Sequence, residues 1–380
     1  MVKLGELLKP SPKKAAGELE APILSITMHD GLVEQGTRFK KRIASLDTSI
    51  YRIVFKGQLV VGFPIDEGVL DFQDKYSQAL VSPAYGVWDL VSDEVTPEFL
   101  GLFLKSPRAI SIYKSRLRGT TARRRSLPTK VFQEIEFPLP PLGEQKRILG
   151  ILGKTTGAIS SVQKQIEQAK KLRSSIVGMA SKMAVELRAI SEYFDINPRQ
   201  PRNIPDNAPT SFVPMANLDE TFGISPITSR FSEHKKGYTY FENGDILLAK
   251  ITPCFENGKS AIAKLSTQIG HGSTEFHVLR HKNHMHQDVC LSPLLVAAIL
   301  KQPSFLKPAE NFMRGSAGQK RIPVSYIASL KVPVLKSVDL EKIDQSLEIV
   351  EALLNLYHRK LSLLQELQKS LANRAFAGLL

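Results

Sequence analysis

The hydrophobic positions of the chain predict two long helices with a repeat of 3.5 residues. Positions that are expected to be buried recur at alternating spacings of four and three residues, and the second helix repeats the register of the first. The positions are Ile148, Leu152, Thr155, Ile159, Val162, Ile166 and Ala169, and then Ile343, Leu347, Val350, Leu354, Tyr357, Leu361 and Leu364. A sustained repeat of this kind is typical of helices that pack along a common seam. The alternative is two amphipathic helices that each lie on their own domain.

Short apolar runs ahead of each long helix predict strands, and one further helix is expected in each half. The strands are expected at residues 53–61, 245–250 and 275–279, and the shorter helices at residues 97–115 and 293–312. Prolines at residues 138, 140 and 141 should end the last strand and prepare the first long helix. Pro333 is expected to do the same for the second helix.

Segments of the first half return in the second half at an offset that increases slowly. Gly57-Gln58-Leu59-Val60 matches Gly244-Asp245-Ile246-Leu247, residues 97–107 match residues 293–303, and Arg118-Gly119-Thr120 matches Arg314-Gly315-Ser316. Chance matches would scatter, so the steady offset indicates a duplication. We therefore expect an α+β fold with an internal pseudo-twofold repeat. Its recognition heads are residues 1–140 and 188–335, and its long helices are residues 141–187 and 336–380.

The composition is that of a chain from a reducing compartment. Its two cysteines, Cys254 and Cys290, are too few for a disulfide framework. The first residues lack the apolar core of a signal peptide. The longest apolar stretch, near residues 294–300, is too short to span a bilayer. We expect a cytoplasmic protein without a membrane partner.

The positive charge is concentrated in one segment. The formal net charge is +14, and nine basic residues fall between Lys105 and Lys130 without an acidic residue among them. Like charges this dense are stabilised by phosphates, whose condensed counterions they release. The net charge would also suit an acidic protein or membrane surface, and a solvated basic face is the simpler interpretation of the run. Recurrence of basic residues in the second copy favours nucleic acid.

The Arg-Gly segments predict loops that carry the nucleic-acid contacts. Gly119 and Gly315 permit backbone conformations that other residues avoid. Arginine pairs best with guanine and glutamine with adenine, but sequence alone leaves open which residues read bases and which grip phosphate. The predicted DNA-binding residues are Lys114, Arg116, Arg118, Thr120, Arg123, Arg124, Arg125, Arg314, Ser316, Gln319, Lys320 and Arg321.

The arrangement of head, helix, head and helix resembles the specificity subunit of type I restriction-modification systems. Three segments carry the resemblance, which covers essentially the whole chain. They are residues 137–148, with the sequence Phe-Pro-Leu-Pro-Pro-Leu-Gly-Glu-Gln-Lys-Arg-Ile, residues 243–248 and residues 315–322. Two places depart from the family pattern. The second helix start lacks the Glu-Gln pair, and Arg123 to Arg125 stand in the first copy near the equivalent of Gln319.

The resemblance implies a non-catalytic protein that directs other subunits. Each head would read one half of a bipartite site in double-stranded DNA, and the antiparallel helices would set the unread gap. Two methyltransferase (modification) subunits would dock on the helices, and restriction-translocase subunits would complete the complex. No cofactor is implied.

The absence of common enzymatic motifs from the sequence points the same way. The sequence contains no Walker-type phosphate loop, no Gly-x-Ser-x-Gly and no Cys-x-x-Cys. Asn197-Pro198-Arg199-Gln200 departs from a methyltransferase Asn-Pro-Pro-aromatic motif at its last two positions. His277, His281, His284 and His286, with Asp288 and Cys290, have spacings that suit zinc. A polar connection after a strand explains them equally, and we expect no metal.

Two functions therefore remain open from the sequence. The first is a DNA-recognition subunit with two heads and a docking spacer. The second is a non-enzymatic coiled-coil scaffold whose basic heads bind RNA or acidic proteins. Strong preference for one split DNA sequence, with salt-dependent affinity, separates the first from the second.

Overall fold

The computed structural model describes residues 1–380 except 29, 36–46, 118–126, 219–226, 235, 283–288, 317 and 378. The chain divides into two compact units. The first consists of Met1–Ile159 together with Leu364–Leu380, and the second of Ser160–Leu363. The fold is a mixture of short strands and helices with one long central helix and one long C-terminal helix.

The strands of the first unit form one four-stranded sheet and three two-stranded pairs. They are β1 (Val2–Lys3), β2 (Leu8–Pro10), β3 (Leu24–Thr27), β4 (Gly31–Glu34), β5 (Arg52–Phe55), β6 (Leu59–Val61), β7 (Leu70–Phe72), β8 (Gln78–Val81), β9 (Gly86–Leu90) and β10 (Glu136–Phe137). The sheet order is β2-β9-β6-β7, and the pairs are β1-β10, β3-β4 and β5-β8. The strand expected over residues 53–61 is two strands, because Gly57 (φ 88°) turns the chain between them.

Hydroxyl side chains cap two of the helices of the first unit. The helices of this unit are α1 (Leu4–Leu7), α2 (Pro97–Leu104), α3 (Pro107–Arg116), α4 (Thr129–Gln133) and the start of α5, the central helix (Leu142–Met183), with a 3₁₀ turn at Ile65–Glu67. The Thr96 hydroxyl accepts from the Phe99 amide at the start of α2, and Ser106 does the same for Ala109 at the start of α3. The single helix expected over residues 97–115 is therefore divided, because Ser106 and Pro107 start a new helix.

Aromatic rings from distant parts of the chain fill the core of the first unit. Phe99 and Phe103 pack edge-on against Phe137 at centroid distances of 5.9 and 4.9 Å. Phe376, near the C-terminus, lies 5.7 and 5.4 Å from the same two rings. Phe376 is 1% exposed, and burial of such a side chain contributes about 1.5–3 kcal/mol. The end of the chain is thus part of this core.

The second unit repeats the strand order of the first. Its strands are β11 (Glu186–Ala189), β12 (Phe194–Ile196), β13 (Pro209–Val213), β14 (Ile227–Arg230), β15 (Thr239–Glu242), β16 (Ile246–Ala249), β17 (Ser260–Ile262), β18 (Ile269–Gly272), β19 (Phe276–His281) and β20 (Lys331–Val334). The sheet β12-β19-β16-β17 has the order of β2-β9-β6-β7, and β11-β20 pair as β1-β10 do. The strand pair β15-β18 corresponds to β5-β8 and is extended by β13 and β14.

The helices of the second unit also follow the pattern of the first. They are α6 (Ile190–Tyr193), α7 (Phe231–His234), α8 (Pro293–Leu300), α9 (Pro303–Glu310), α10 (Val324–Ser329) and most of α11, the C-terminal helix (Ser337–Phe376), with a 3₁₀ turn at Met215–Asn217. Ser292 caps α8 as Thr96 caps α2. None of the helices in the described ranges has both the length and the apolar character that crossing a bilayer requires.

The sequence indicated that Pro333 ends the last strand, and the structure shows that this prediction is wrong. Pro333 lies inside β20, opposite Leu187 of β11, in an antiparallel pair. A two-stranded pair leaves one side of each strand without a neighbouring strand, and proline is tolerated where its missing N–H is not needed. The C-terminal helix starts after this strand, at Ser337.

The predicted seam residues are buried to different degrees. In the first unit, Ile148 and Leu152 belong to the core that contains Phe376, and Thr156 Oγ1 accepts a 2.8 Å hydrogen bond from Gln368 Nε2. In the second unit, the buried seam residues are Val162, Ile166, Ala169, Ile343, Leu347, Val350 and Leu354. The half-buried ones in the two units are Thr155, Ile159, Tyr357, Leu361 and Leu364. Packing of the two helices along their whole length stays a prediction.

Candidate nucleic-acid interface

The Arg-Gly segment of the second unit forms a closed loop. Arg314 and Arg321 face each other with two backbone hydrogen bonds of 2.9 and 2.8 Å. Gly315 has a φ of 134°, and a Cβ there would lie 2.6 Å from the carbonyl oxygen of Gln319. Only glycine allows so close an approach of the two sides of the loop.

Backbone contacts attach this loop to the end of a sheet strand. The Ile322 amide donates to the Lys250 carbonyl, and the Thr252 amide donates to the Lys320 carbonyl, both at 2.9 Å. Lys250 directly follows β16 in the four-stranded sheet. The loop therefore takes its position from the sheet.

An ion pair fixes one side chain of the loop. The guanidinium of Arg321 binds the Glu275 carboxylate in a fork, with Nη2–Oε1 at 2.8 Å and Nε–Oε2 at 2.9 Å. Its Nη1 donates to the Gln319 carbonyl at 3.1 Å. The hydrogen bonds from Arg321 hold the pKa of the Glu275 carboxyl below its ordinary value, against the effect of partial burial. Arg321, which the sequence predicts to bind DNA, thus also shapes the loop from within.

A buried histidine lies beneath the same loop. His277 is 4% exposed, and its Nε2 lies 2.9 Å from the carbonyl oxygen of Ile322. A carbonyl oxygen only accepts, so Nε2 carries the proton and Nδ1 accepts from the Asn197 amide at 3.3 Å. Burial is the main cause that lowers the pKa of His277. The ring is therefore neutral at pH 7 and acts as a hydrogen-bonding link.

The described histidines of the segment whose spacings would suit zinc are engaged with the backbone. His277 bonds to Ile322, and His281 Nε2 lies 2.9 Å from the Leu291 carbonyl oxygen. His284, His286 and Asp288 lie outside the described residues. Within the described part of the chain, no group of three or more histidine, cysteine, aspartate or glutamate side chains could hold a metal ion.

The structure places the remaining predicted DNA-binding residues in two groups. Those on the second loop with exposed side chains are Arg314, Ser316, Gln319 and Lys320, and those exposed at the end of α3 are Lys114 and Arg116. The others, which are Arg118, Thr120, Arg123, Arg124 and Arg125, lie outside the described residues. Contact of either group with DNA remains a prediction.

Two basic residues of the first unit's charged segment are used internally. Lys105 forms a 2.7 Å ion pair with Asp71, and Arg108 Nη1 donates to the Phe376 carbonyl at 2.7 Å. They therefore contribute less to an anion-binding surface than their place in the sequence suggests.

The Glu-Gln pair at the start of the central helix has a structural explanation. Gln145 is fully buried, and its Oε1 accepts from the Thr96 amide at 3.0 Å. Its Nε2 donates to the carbonyl oxygens of Glu94 and Pro140 at 2.7 and 2.9 Å. The glutamine thus links the start of α5 to the cap of α2. Glu144, by contrast, pairs with Arg147 on the surface.

The second unit lacks this glutamine and joins the same elements differently. Leu340 is buried near the start of α11. The Ser292 hydroxyl, at the cap of α8, donates to Asp344 Oδ1 at 2.7 Å. Burial raises the pKa of Asp344 above its ordinary value. The missing Glu-Gln pair is therefore accompanied by a different link between the long helix and its head.

Sequence reasoning did not identify three residues that organise the loop. In the sequence, Asn197 stands out only as part of an incomplete enzyme motif, His277 as a possible zinc ligand, and Glu275 as part of a strand. The available signal was a histidine among the apolar residues that begin the strand Phe276–His281, where the first four residues are buried. A polar side chain in such a position needs a hydrogen-bond partner.

Comparison with known proteins shows similarity to one family in part of the sequence and in the fold. Residues 47–171 match the family model described as "Type I restriction modification DNA specificity domain". The chain is also similar over 98% of its length to the solved S subunit of a type I restriction-modification system from M. genitalium, of which the match covers 95%. Its TM-score is 0.55 at 14% identity, which shows a shared fold.

Two named relatives from Escherichia coli are similar to part of the chain. The type I restriction enzyme EcoEI specificity subunit is 41% identical over 147 residues, which are 38% of this chain and 24% of that protein. The EcoAI specificity subunit is 38% identical over 161 residues, 42% of this chain and 26% of the relative. The chain thus spans about a quarter of the length of these relatives. The resemblance to type I specificity subunits, expected from the sequence, is confirmed.

Proposed function

We propose that this chain is the DNA-specificity subunit of a type I restriction-modification complex. The observation that carries the proposal is the match of residues 47–171 to the DNA specificity domain. The whole-chain similarity in fold and the basic loop of the second unit support it.

In this proposal each of the two heads reads one half of a bipartite DNA site. The repeated strand order supports two equivalent heads, residues 1–140 and 188–335. In the second head, the exposed side chains of Arg314, Ser316, Gln319 and Lys320 contact DNA. A glutamine or arginine presented by a fixed loop has the geometry for bidentate contact with adenine or guanine. In the first head, Lys114 and Arg116 grip phosphates, together with the basic residues at 118–125.

The two long helices would run antiparallel and set the distance between the half-sites. Thr156 contacts Gln368 within the first unit, and Arg173 contacts Glu351 within the second. A step of 17 residues forward along the central helix thus matches a step of 17 residues backward along the C-terminal helix. This constant register supports continuous packing of the seam, residues 141–187 against 336–380.

The catalytic steps would belong to other subunits. Two methyltransferase subunits would dock on the helices and heads, and restriction-translocase subunits would join that complex. The different links at Gln145 and Asp344 predict that the two docking sites are not equivalent.

Methylome sequencing tests the proposal. A host that expresses the chain with its cognate methyltransferase should acquire one adenine-methylated motif with an unread gap. A control chain without residues 141–380 should not produce it. Assembly of the full complex without any methylated motif would contradict the proposal and favour the scaffold hypothesis, with RNA or acidic proteins as partners.

A further inference from the structure

The buried histidine of β19 connects two parts of the second unit that are distant in sequence. Asn197 follows β12, His277 lies within β19, and Ile322 ends the Arg-Gly loop. Their hydrogen bonds, Asn197 Nδ2 to His277 Nδ1 and His277 Nε2 to the Ile322 carbonyl, run in one direction toward the loop. The ring is therefore held on one side and itself holds the loop on the other.

Asn197 is itself rigidly placed. Its side-chain Oδ1 accepts from the backbone amide of Val278 at 2.9 Å, and its backbone amide donates to the Val278 carbonyl at 2.7 Å. Its φ of 53° lies in the left-handed region that asparagine tolerates better than most residues. These bonds fix the tautomer of His277, because the asparagine amide nitrogen only donates.

The position of the loop backbone matters because it determines where the exposed side chains of the loop lie. Ile322 is 1% exposed and adjoins Arg321, and Lys320 and Gln319 precede it in the loop. A base contact tolerates little displacement, since a bidentate pair needs both hydrogen bonds at once. Loss of the His277 bond would also leave the buried Ile322 carbonyl without this donor, which favours a shift of the loop.

The first unit has no such ring at the corresponding position. Strand register places Gly86 opposite Val61 in the first sheet, as His277 lies opposite Leu248 in the second. Sequence alignment of the two copies pairs the same residues, since residues 82–87 match residues 273–278. At this position of the two described sheets, the histidine link is therefore present in the second unit and absent from the first, where Gly86 has no side chain.

We propose that His277, oriented by Asn197, is a positioning residue for sequence recognition by the second head. It sets the placement of the loop that carries Gln319 and Lys320 and makes no contact with DNA itself. The inference rests on the proposed function, and it predicts that the two half-sites respond differently to one substitution.

The test uses the full chain assembled with its modification subunits and a randomised double-stranded DNA library as probe. Selection and sequencing give, for each half-site, the preference for the best sequence over a single base-pair change. Exchange of residues 1–140 for the matching head of a relative first identifies the half-site that belongs to the first head. His277→Phe keeps a buried ring without a donor, and His277→Gln keeps a donor for the Ile322 carbonyl.

The Phe variant should lose about tenfold in discrimination at the second half-site, comparable to the effect of a mismatched base pair. Discrimination at the first half-site should not change, and the Gln variant should recover most of the loss. Should the Phe variant not fold, Asn197→Gly keeps the backbone conformation and removes the ring's partner. It should reduce discrimination at the second half-site by about threefold, because it removes the hydrogen bond to His277 Nδ1 together with the one from the Val278 amide.

Each alternative outcome has a distinct meaning. Wild-type protein without any sequence preference would contradict the proposed function itself. A split preference that survives both His277→Phe and Asn197→Gly would overturn the positioning role alone. An equal loss at both half-sites, with a lowered thermal unfolding midpoint, would assign His277 to general stability and would also overturn it.

Discussion

Arg173 and Glu351 form an ion pair inside the second unit, with Nη1 and Oε1 3.3 Å apart. Their side chains are 8% and 9% exposed, and they lie close in sequence to the buried residues Ile176 and Val350. Removal of two charges from water costs more than most such pairs return in stability. What a buried pair fixes well is register, because any slip of one helix separates both charges from their partners.

Replacement of one member of this pair should be much more harmful than replacement of both. Arg173→Met leaves the Glu351 carboxylate buried without its main partner, which should cost about 3–5 kcal/mol of unfolding free energy. The double variant Arg173→Met/Glu351→Leu should lie within about 1 kcal/mol of the wild type, because it removes both charges. Urea unfolding measures both. Additive losses in the double variant would show that the two side chains do not act as a pair.

The same pair predicts a pH dependence of stability. Burial raises the pKa of Glu351 above its ordinary value of 4.5, partly offset by Arg173 and Lys301. The folded chain therefore binds this proton more tightly than the unfolded chain. The resulting stabilisation is present below pH 4.5 and is lost as the pH rises through the folded-state pKa. Relative to the wild type, Arg173→Met/Glu351→Leu should gain stability as the pH is raised from about 4 to 7. A difference that does not vary with pH would refute this explanation.

Gln145 should be essential for the start of the central helix. Gln145→Leu keeps the side-chain volume. It removes the acceptor for the Thr96 amide and the donor to the carbonyl oxygens of Glu94 and Pro140. Loss of partners for buried polar groups should cost about 3 kcal/mol. The neighbouring surface substitution Glu144→Gln is the matched control, and its unfolding midpoint should equal that of the wild type. Equal unfolding midpoints for the two variants would contradict the linking role of Gln145.

Lys320 should contribute to DNA affinity without a contribution to sequence choice if it grips phosphate. Lys320→Gln should then weaken binding to all sequences and reduce the slope of log K against log salt by about 0.9. Lys342→Gln, on the exposed side of the C-terminal helix, serves as control. A filter-binding series at several salt concentrations measures the slopes. Loss of preference at one base pair, with an unchanged slope, would instead make Lys320 a base-reading residue.

The long helices should act as a ruler if they pack along the whole seam. Insertion of seven residues in both helices lengthens the spacer by about 10 Å, since each helical residue adds about 1.5 Å. The unread gap should then grow by about 3 base pairs, at about 3.4 Å each. Methylome sequencing of the variant gives the new gap. A variant that assembles and still methylates the original motif would show that the length of the helices does not set the unread gap.

Periodicity predicted the long elements well because it reports burial directly. The expected helices at residues 141–187 and 336–380 are observed as Leu142–Met183 and Ser337–Phe376. The hydrophobic pattern was less informative where a single residue determines whether a helix or strand ends. Ser106 divides one expected helix through its cap, and Pro333 is accommodated within a strand because that strand has a free side.

The loop network was beyond prediction because its members meet only in the folded chain. Asn197 and His277 are 80 residues apart, and His277 and Ile322 are 45 apart. Charge alone also overstated the binding surface, since Lys105 and Arg108 find partners at Asp71 and Phe376. Sequence shows that a side chain is charged but not whether a distant group neutralises it.

In each unit, the first strand pairs with the last strand before the next long helix. Val2 lies opposite Phe137 in one, and Glu186 lies opposite Val334 in the other. The chain therefore enters and leaves each head through neighbouring strands, which lie about 5 Å apart. A head built in this way is a cassette: another sequence of the same topology can replace it through two adjacent junctions, with the helices left untouched. Under the proposed function, in which each head reads one half-site, new pairs of half-sites would arise by recombination at these junctions without a new fold.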